Sequence, residues 1–464
     1  MREAKKQVLG PRLKMAGWVL GGLLALLLVL LWMAGRSVTA ERLVEEVEDS
    51  LNARLEIGEV EVELLRLPSR VVLRRVRLGE RDEWVGRPLA ERPALGEAAI
   101  EVGEVRLEVS LPELLFRKID VKELVLVAPK VGMVIDATGS SNMVELFRSP
   151  PDRKERRKKK GKRSGGALNV EEIGMLGQLE GVRMLDGEAD LLIEKSGMVI
   201  WVRELSAWLD AIEVDPAALE KTNQATLRLE GKVTLGWTEE GRETSGFLDV
   251  AGTAAVKLFD PVSADLDPEI AGRLTLGEES YLLAQVPPVS RTWAALGKLA
   301  DWGMKIGGLP ERATFGRGAT VGVHYHQERF TAQEPLSLEL GEWELAVLAE
   351  SWLDLNDEEH EVGVELLASN GVSGVLHSGL LLALDYLPDA VEPEVVAGVE
   401  KAWFREGRLL ARVRSQGELG DPEVDVLNKF PDVKEMTKEA LERHAKEKLK
   451  KLGKGLLEGL LGGV

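Results

Sequence analysis

From residue 53 onward the chain is dominated by a period of two. Glu59-Val-Glu-Val-Glu-Leu64, Glu104-Val-Arg-Leu-Glu-Val109 and Thr226-Leu-Arg-Leu-Glu230 alternate polar and apolar side chains strictly. That is the pattern of a strand with one dry and one wet face. Val71–Leu78, Leu124–Ala128, Val131–Asp136, Glu188–Glu194, Lys232–Trp237, Phe247–Phe259, Arg273–Leu276, Val321–Tyr325, Leu336–Leu348, Val362–Ala368, Val375–Leu387 and Arg408–Arg414 are further predicted strands. Turns such as Asp186-Gly187 and Glu240-Gly241 separate them. Roughly fifteen strands at ~4.8 Å spacing make an antiparallel sheet about 70 Å long, which must curl, close or be covered.

Other stretches follow a helical period or none. Ser37–Asn52 repeats apolar Ala40, Leu43, Val44, Val47 and Leu51 at helical spacing, and Ser290–Lys305 does the same with Trp293, Leu296, Leu299, Trp302 and Met304. The second is expected to cover part of the sheet, at about 290–305. Ala16–Ala34 is an uncharged apolar run of the length that spans a bilayer as a helix. Its anchor positions are Trp18, Leu23, Leu27, Leu31 and Trp32, with the indoles at the two interfaces. Arg2, Lys5, Lys6, Arg12 and Lys14 precede it, so residues 1–15 are expected on the cytoplasmic side and the bulk of the chain across the membrane. A cleaved signal peptide ending at Val38-Thr39-Ala40 is the competing reading, but its apolar region would be too long.

Charge modifies this picture in two places. The formal net charge is −18, which argues against general nucleic-acid binding. Yet Arg153–Arg163 reads RKERRKKKGKR between Pro150-Pro151 and Gly165-Gly166. Residues 151–166 are therefore expected to form a basic, solvated linker, with contact between Arg156, Lys158, Lys160 and lipid headgroups as the functional alternative. The tail, 431–464, is basic and then leucine-rich. Its Lys448, Lys451, Leu457 and Leu460 suit a membrane interface, and a helix that folds back over an open sheet end suits the sequence equally.

Candidate chemistry is sparse. There is no cysteine, which removes thiolate nucleophiles, thiolate zinc sites and disulfides. His324 and His326 alone have ligand-like spacing, on one face of a strand, and they remain weak metal candidates without a third ligand in view. No phosphate-cradling loop, nucleophile elbow or HExxH motif occurs. The expectation is a non-enzyme with no cofactor. The expected fold is mainly β: an N-terminal transmembrane helix, a long curled antiparallel sheet with groove-like form and a few covering helices, and a C-terminal amphipathic helix.

One order of segments is more specific. A short helix leads to Leu55-Glu-Ile-Gly-Glu-Val-Glu-Val-Glu-Leu64 and Val71-Val-Leu-Arg-Arg-Val-Arg-Leu78. Val105–Leu115, Ile119–Pro129 and Val131–Asn142 follow, the last ending in Asp136-x-x-Gly139-x-x-Asn142. Together with Gly417-Glu-Leu-Gly-Asp-Pro-Glu-Val424 before the basic tail, this order resembles AsmA-like proteins of the bacterial envelope. The resemblance covers residues 35–150 and the carboxy-terminal end most closely; 167–430 matches in β character. It implies an inner-membrane anchor and a periplasmic β-groove that passively conducts phospholipids, in support of outer-membrane biogenesis. An outer membrane or an envelope protein at the far end is an implied partner. The alternating rows supply groove candidates: Val62, Leu64, Val105, Leu107, Leu227, Leu229, Val233 and Leu235. Which row faces inward is open at this level, as is a dry sandwich core. A non-catalytic envelope scaffold is the alternative function.

Overall fold

A computed structural model describes residues 39–63, 68–109, 121–138, 140–147, 150, 179–237, 243–264, 266–327, 329–354, 357, 359–385, 387, 392–418, 421–429 and part of 438–450. The expected anchor with Trp18, Leu23, Leu27, Leu31 and Trp32 lies outside the described residues, as do the basic linker, Leu64, Lys448, Lys451, Leu457 and Leu460. Among the described residues no helix is long and apolar enough to cross a membrane. The chain divides into two compact units, the first made of Met1–Leu282, Arg317–Pro335 and Ala349–His360, the second of the intervening segments and everything after.

The first unit opens with helix α1 (Ala40–Ser50), whose first turn is capped by the Thr39 hydroxyl accepting from Arg42 N. Strands β1 (Ala53–Glu63), β2 (Ser69–Glu80), β3 (Ile100–Val109), β4 (Val121–Ile135), β5 (Gly181–Ile193), β6 (Met198–Val214), β7 (Asn223–Trp237), β8 (Glu243–Phe259) and β9 (Leu266–Leu276) follow. Each pairs with the next in sequence order. Of the later strands β10 (Tyr281–Leu283), β11 (Arg312–Phe315), β12 (Thr320–His326), β13 (Arg329–Ala332), β14 (Leu336–Leu340), β15 (Trp343–Val347) and β16 (Trp352–Asp354), β12, β13 and β16 extend the same sheet beyond β9. The Tyr281–Leu282 end of β10 pairs with β8.

The expected mainly β fold with a long antiparallel sheet is what the chain adopts, with one exception. β4 and β5 run parallel. The connection over residues 136–180 carries helix α2 (Asn142–Phe147) and the basic segment, which is long enough for the crossover that a parallel pair requires. Asp136 and Asn142 shape its start. The Asp136 carboxylate accepts from Thr138 N, Thr138 Oγ1 and Ser140 N, which holds it below the usual carboxylate range. Asn142 accepts from Val134 N and donates to Gly132 O.

In the second unit β11, β14 and β15 pair in order, and β15 pairs with β17 (Glu359–Ala368). Helices α3 (Pro287–Leu296), α4 (Asn370–Leu384) and α5 (Glu392–Trp403) pack with β18 (Phe404–Arg405), β19 (Arg408–Glu418) and β20 (Glu423–Val426). The helix expected over 290–305 is present as α3 followed by a 3₁₀ segment, Gly297–Trp302. The strand expected over Val375–Leu387 is instead the helix α4. Leu376, Leu380 and Leu384 are buried four residues apart, and the Ser369 hydroxyl caps Val372 N. An uninterrupted leucine run carries no alternation, so the cap and the period of its buried members decide.

Candidate functional site

Cross-strand register turns the alternation into rows. Val62, Val71, Leu107, Leu124, Val182, Leu209, Leu227, Ala254, Gly272, Val323 and Ala332 stand opposite one another from β1 to β13. The next row is Val60, Leu73, Val105, Leu126, Met184, Ala207, Leu229, Gly252, Leu274 and Val321. Further along the strands, Leu55, Leu78, Ile100, Val131, Ala189, Val202, Val233 and Leu248 form a third row. Met133, Leu191, Ile200, Leu235, Gly246 and Leu282 form a fourth. Every position is apolar. Along β7, Leu227, Leu229, Val233 and Leu235 share parity, so all four rows belong to one face. The described groove candidates Val62, Val105, Leu107, Leu227, Leu229, Val233 and Leu235 all lie on it.

Keeping that face apolar requires a correction in the middle of strands β1 to β6. In β2 the apolar positions are 71 and 73, then 76 and 78, with opposite parity. The change occurs at Arg75, whose φ is 53°. Ala128 (φ 49°) in β4, Asp186 (φ 53°) in β5 and Glu204 (φ 52°) in β6 do the same. Gly58, Arg75, Gly103 and Ala128 all drop out of the ladder at one level across β1 to β4. A residue left out of the ladder restores the phase of everything beyond it, as a β-bulge does. Gly58 serves this geometry by clearance, since a Cβ there would lie 2.5 Å from Arg75 Nε. Two sequence expectations are corrected on this account. Asp186-Gly187 is a bulge inside β5, and Leu124–Ala128 and Val131–Asp136 are halves of one strand.

Among the described residues the apolar face is closed over one part and half-buried over another. From β1 to β4 it is a dry core: Leu55, Leu73, Leu78, Ile100, Leu124 and Leu126 are fully buried, as are Val105 and Leu107 at 1% exposure each. Leu43, Val44 and Val47 of α1 and Met143 and Leu146 of α2 are buried with them, and these helices pack on β1, β2 and β4. Two groove candidates therefore sit in closed packing, while Val62 at the strand end is 40% exposed. Within the first unit neither α1 nor α2 packs on β5 to β9. Val182, Leu191, Ile200, Val202, Leu205, Leu209, Leu229, Val233, Leu235, Leu248 and Leu274 are half-buried there, while Met184, Ala225, Leu227, Val250, Val256 and Leu276 of the same face are buried.

The opposite face is charged and paired. Arg74 binds Glu61 at 3.1 Å and Glu104 at 3.2 Å, Arg183 binds Glu123 at 2.6 Å, and Lys130 binds Glu188 at 3.1 Å. Arg106 and Arg74 both hydrogen-bond Glu104 and hold its carboxyl below the usual range. His324 and His326 lie on this face with ring centroids 6.3 Å apart. His324 Nε2 is 3.2 Å from Glu269 Oε1, and Lys257 binds the same carboxylate at 2.8 Å, so Glu269 is also held low. Among the described residues no three His, Cys, Asp or Glu side chains converge as a metal site would require.

Alternation missed the strand that contributes most to the half-buried part of the face. β6 supplies Ile200, Val202, Leu205, Ala207 and Leu209, but the bulge at Glu204 and the indoles Trp201 and Trp208 on the other face hide its period. Treating a one-residue phase slip as continuation of a strand would have found it. Comparison with protein-family models, with curated proteins and with solved structures gives no match to this chain.

Proposed function

We propose that this chain is a membrane-anchored, AsmA-like envelope protein that shelters phospholipid acyl chains on the half-buried apolar face of β5 to β9. One observation carries the reading: most positions of four aligned apolar rows are half-buried across β5 to β9, on a sheet whose other face carries ion pairs. Water contact there is costly, and each acyl methylene transferred onto such a surface contributes ~0.8 kcal/mol. The rows continue from strand to strand without a charged side chain, so a chain can move along them without crossing a polar barrier. Strands β8 and β9 approach each other closely at two glycines. A Cβ at Gly252 would lie 2.6 Å from Leu274 Cδ2, and one at Gly272 would overlap the Ala254 Cβ. No nucleotide motif accompanies the face, so movement is passive or driven by partners. The 16–34 run would hold the protein in the inner membrane, with the sheet in the periplasm.

The alternative of an envelope scaffold draws on the covered β1–β4 half, where Val105 and Leu107 are ordinary core. A photo-crosslinking amino acid placed at Leu229 or Val233 in living cells separates the two. Phospholipid adducts at both positions, and none at Arg228 on the opposite face, are expected. Adducts to protein alone at Leu229 and Val233 would replace the lipid carrier with the scaffold.

A further inference from the structure

In the second unit, α4 is fifteen residues long and contains no Asp, Glu, Lys or Arg. One side is thoroughly used. Ser373, Leu376, Leu380 and Leu384 are buried, and Ser373 Oγ accepts from Leu409 N at 3.0 Å. Gly379 lies against the main chain of Gly303 so closely that no Cβ fits, and His377 Nε2 is 2.7 Å from Glu400 Oε1. The other side carries Gly371, Gly374, Val375, Ser378 and Leu382. Val375 is 72% exposed and Leu382 is 78% exposed, with Leu381 at 37% beside them. Large aliphatic side chains at such exposure on an uncharged helix face are unusual for a surface in water.

A second feature lies on the neighbouring helix. Arg443 binds Glu394 of α5 at 2.6 Å, and α5 packs against α4. Arg443 belongs to the basic tail, in which Lys438, Lys446 and Lys450 are exposed and Leu449 is 69% exposed. Lys434–Lys454 is basic on balance within a chain of net charge −18. Exposed aliphatic side chains and exposed basic groups in the same unit match the acyl boundary and anionic headgroups of a bilayer.

We propose that the Val375–Leu382 face of α4, with the exposed Lys438, Lys446 and Lys450, docks the second unit onto an anionic phospholipid surface. The apolar row enters the acyl boundary and the lysines meet the phosphates. This contact goes beyond acyl-chain shelter on β5 to β9 and stands or falls separately from it.

The absence of cysteine makes the test clean. The full chain, held in nanodiscs through its amino-terminal apolar run, carries an environment-sensitive dye on Leu382→Cys, or on Glu339→Cys as an exposed control. Vesicles of phosphatidylethanolamine with phosphatidylglycerol should shift the Leu382 dye to the blue and expose it to quenchers buried in the bilayer, leaving the Glu339 dye unchanged. High salt or phosphatidylcholine vesicles should weaken the response roughly tenfold. A Leu382 dye that stays aqueous with the anionic vesicles overturns the proposal. So does a dimer in the wild type that Leu382→Asp converts to a monomer, which would give the face to a second copy. Crosslinking at Leu229 is read independently, so either failure is attributable.

Discussion

Asn223 holds the main chain of Phe259 from both sides. Its Nδ2 donates to Phe259 O at 2.7 Å, while its Oδ1 accepts from Phe259 N at 3.2 Å and from Leu258 N at 3.1 Å. The side chain is buried where β7 begins and β8 ends. It satisfies backbone groups of Leu258 and Phe259 beyond Ala225–Val256, where the β7–β8 ladder ends. Asn223→Ala strands these groups without water and should cost about 2–3 kcal/mol, read as a lowered midpoint in urea unfolding of the first unit. An unchanged midpoint would show that the β7–β8 end tolerates the loss.

Glu48 and Arg92 form a desolvated pair under α1, with side-chain exposures of 3% and 8%. Arg92 donates to both carboxylate oxygens, at 2.6 and 3.1 Å, and Leu55 N lies 3.3 Å from Oε1. Removing one partner leaves a buried charge alone, so Glu48→Leu should destabilise by about 3–5 kcal/mol. Arg92→Leu in the same chain should recover part of that. A double variant no better than the single would mean that the Leu55 contact matters more than the pair.

Gly272 stands opposite Ala254, and a Cβ there would overlap both the Ala254 Cβ and the Thr253 carbonyl. Gly272→Val should therefore cost about 1–3 kcal/mol and spread β8 from β9. If the close approach of these strands shapes the lipid surface, the same variant should also reduce phospholipid crosslinks at Leu229. A stable variant with full crosslinking would remove that approach from the account of function.

Glu269 is held below the usual carboxylate range, by its hydrogen bond to Lys257 first and by His324 second. A carboxyl whose folded pKa is depressed contributes stability above its unfolded pKa and loses it as pH falls through the folded value. The wild type should thus lose a small increment below about pH 4 that Glu269→Gln lacks. Acid titrations of the two by tryptophan fluorescence should converge at low pH. Curves that stay parallel would contradict a role for this pair in acid stability.

Leu229→Asp and Val233→Asp place carboxylates on half-buried positions of the apolar face. They should abolish phospholipid crosslinking at neighbouring Val202 while shifting the unfolding midpoint far less than Val105→Asp, which buries a charge in closed core. Equal destabilisation by all three would mean that β5 to β9 are as closed as β1 to β4.

The amino-acid pattern by itself determined that this is a mainly β chain, where most of its strands lie and which residues share a face within each uninterrupted stretch of alternation. Alternation is a local property, and a pleated strand cannot present Val105 and Leu107 on different sides. It also located α1 and α3, whose apolar spacing is equally local. It misread α4, because a run of leucines has no period until burial selects Leu376, Leu380 and Leu384. The bulges at Arg75, Ala128, Asp186 and Glu204 were invisible as well, since a phase slip looks like a turn until a neighbouring strand is seen to continue past it. Tertiary structure alone decided that the rows of all these strands fall on one face, that helices α1 and α2 close that face over β1 to β4, and that they leave much of it half-buried over β5 to β9. Coverage depends on which distant segment packs where. Val105 and Leu229 are indistinguishable as alternating aliphatics, and only the helices lying over the first make one a core residue and leave the other half-exposed.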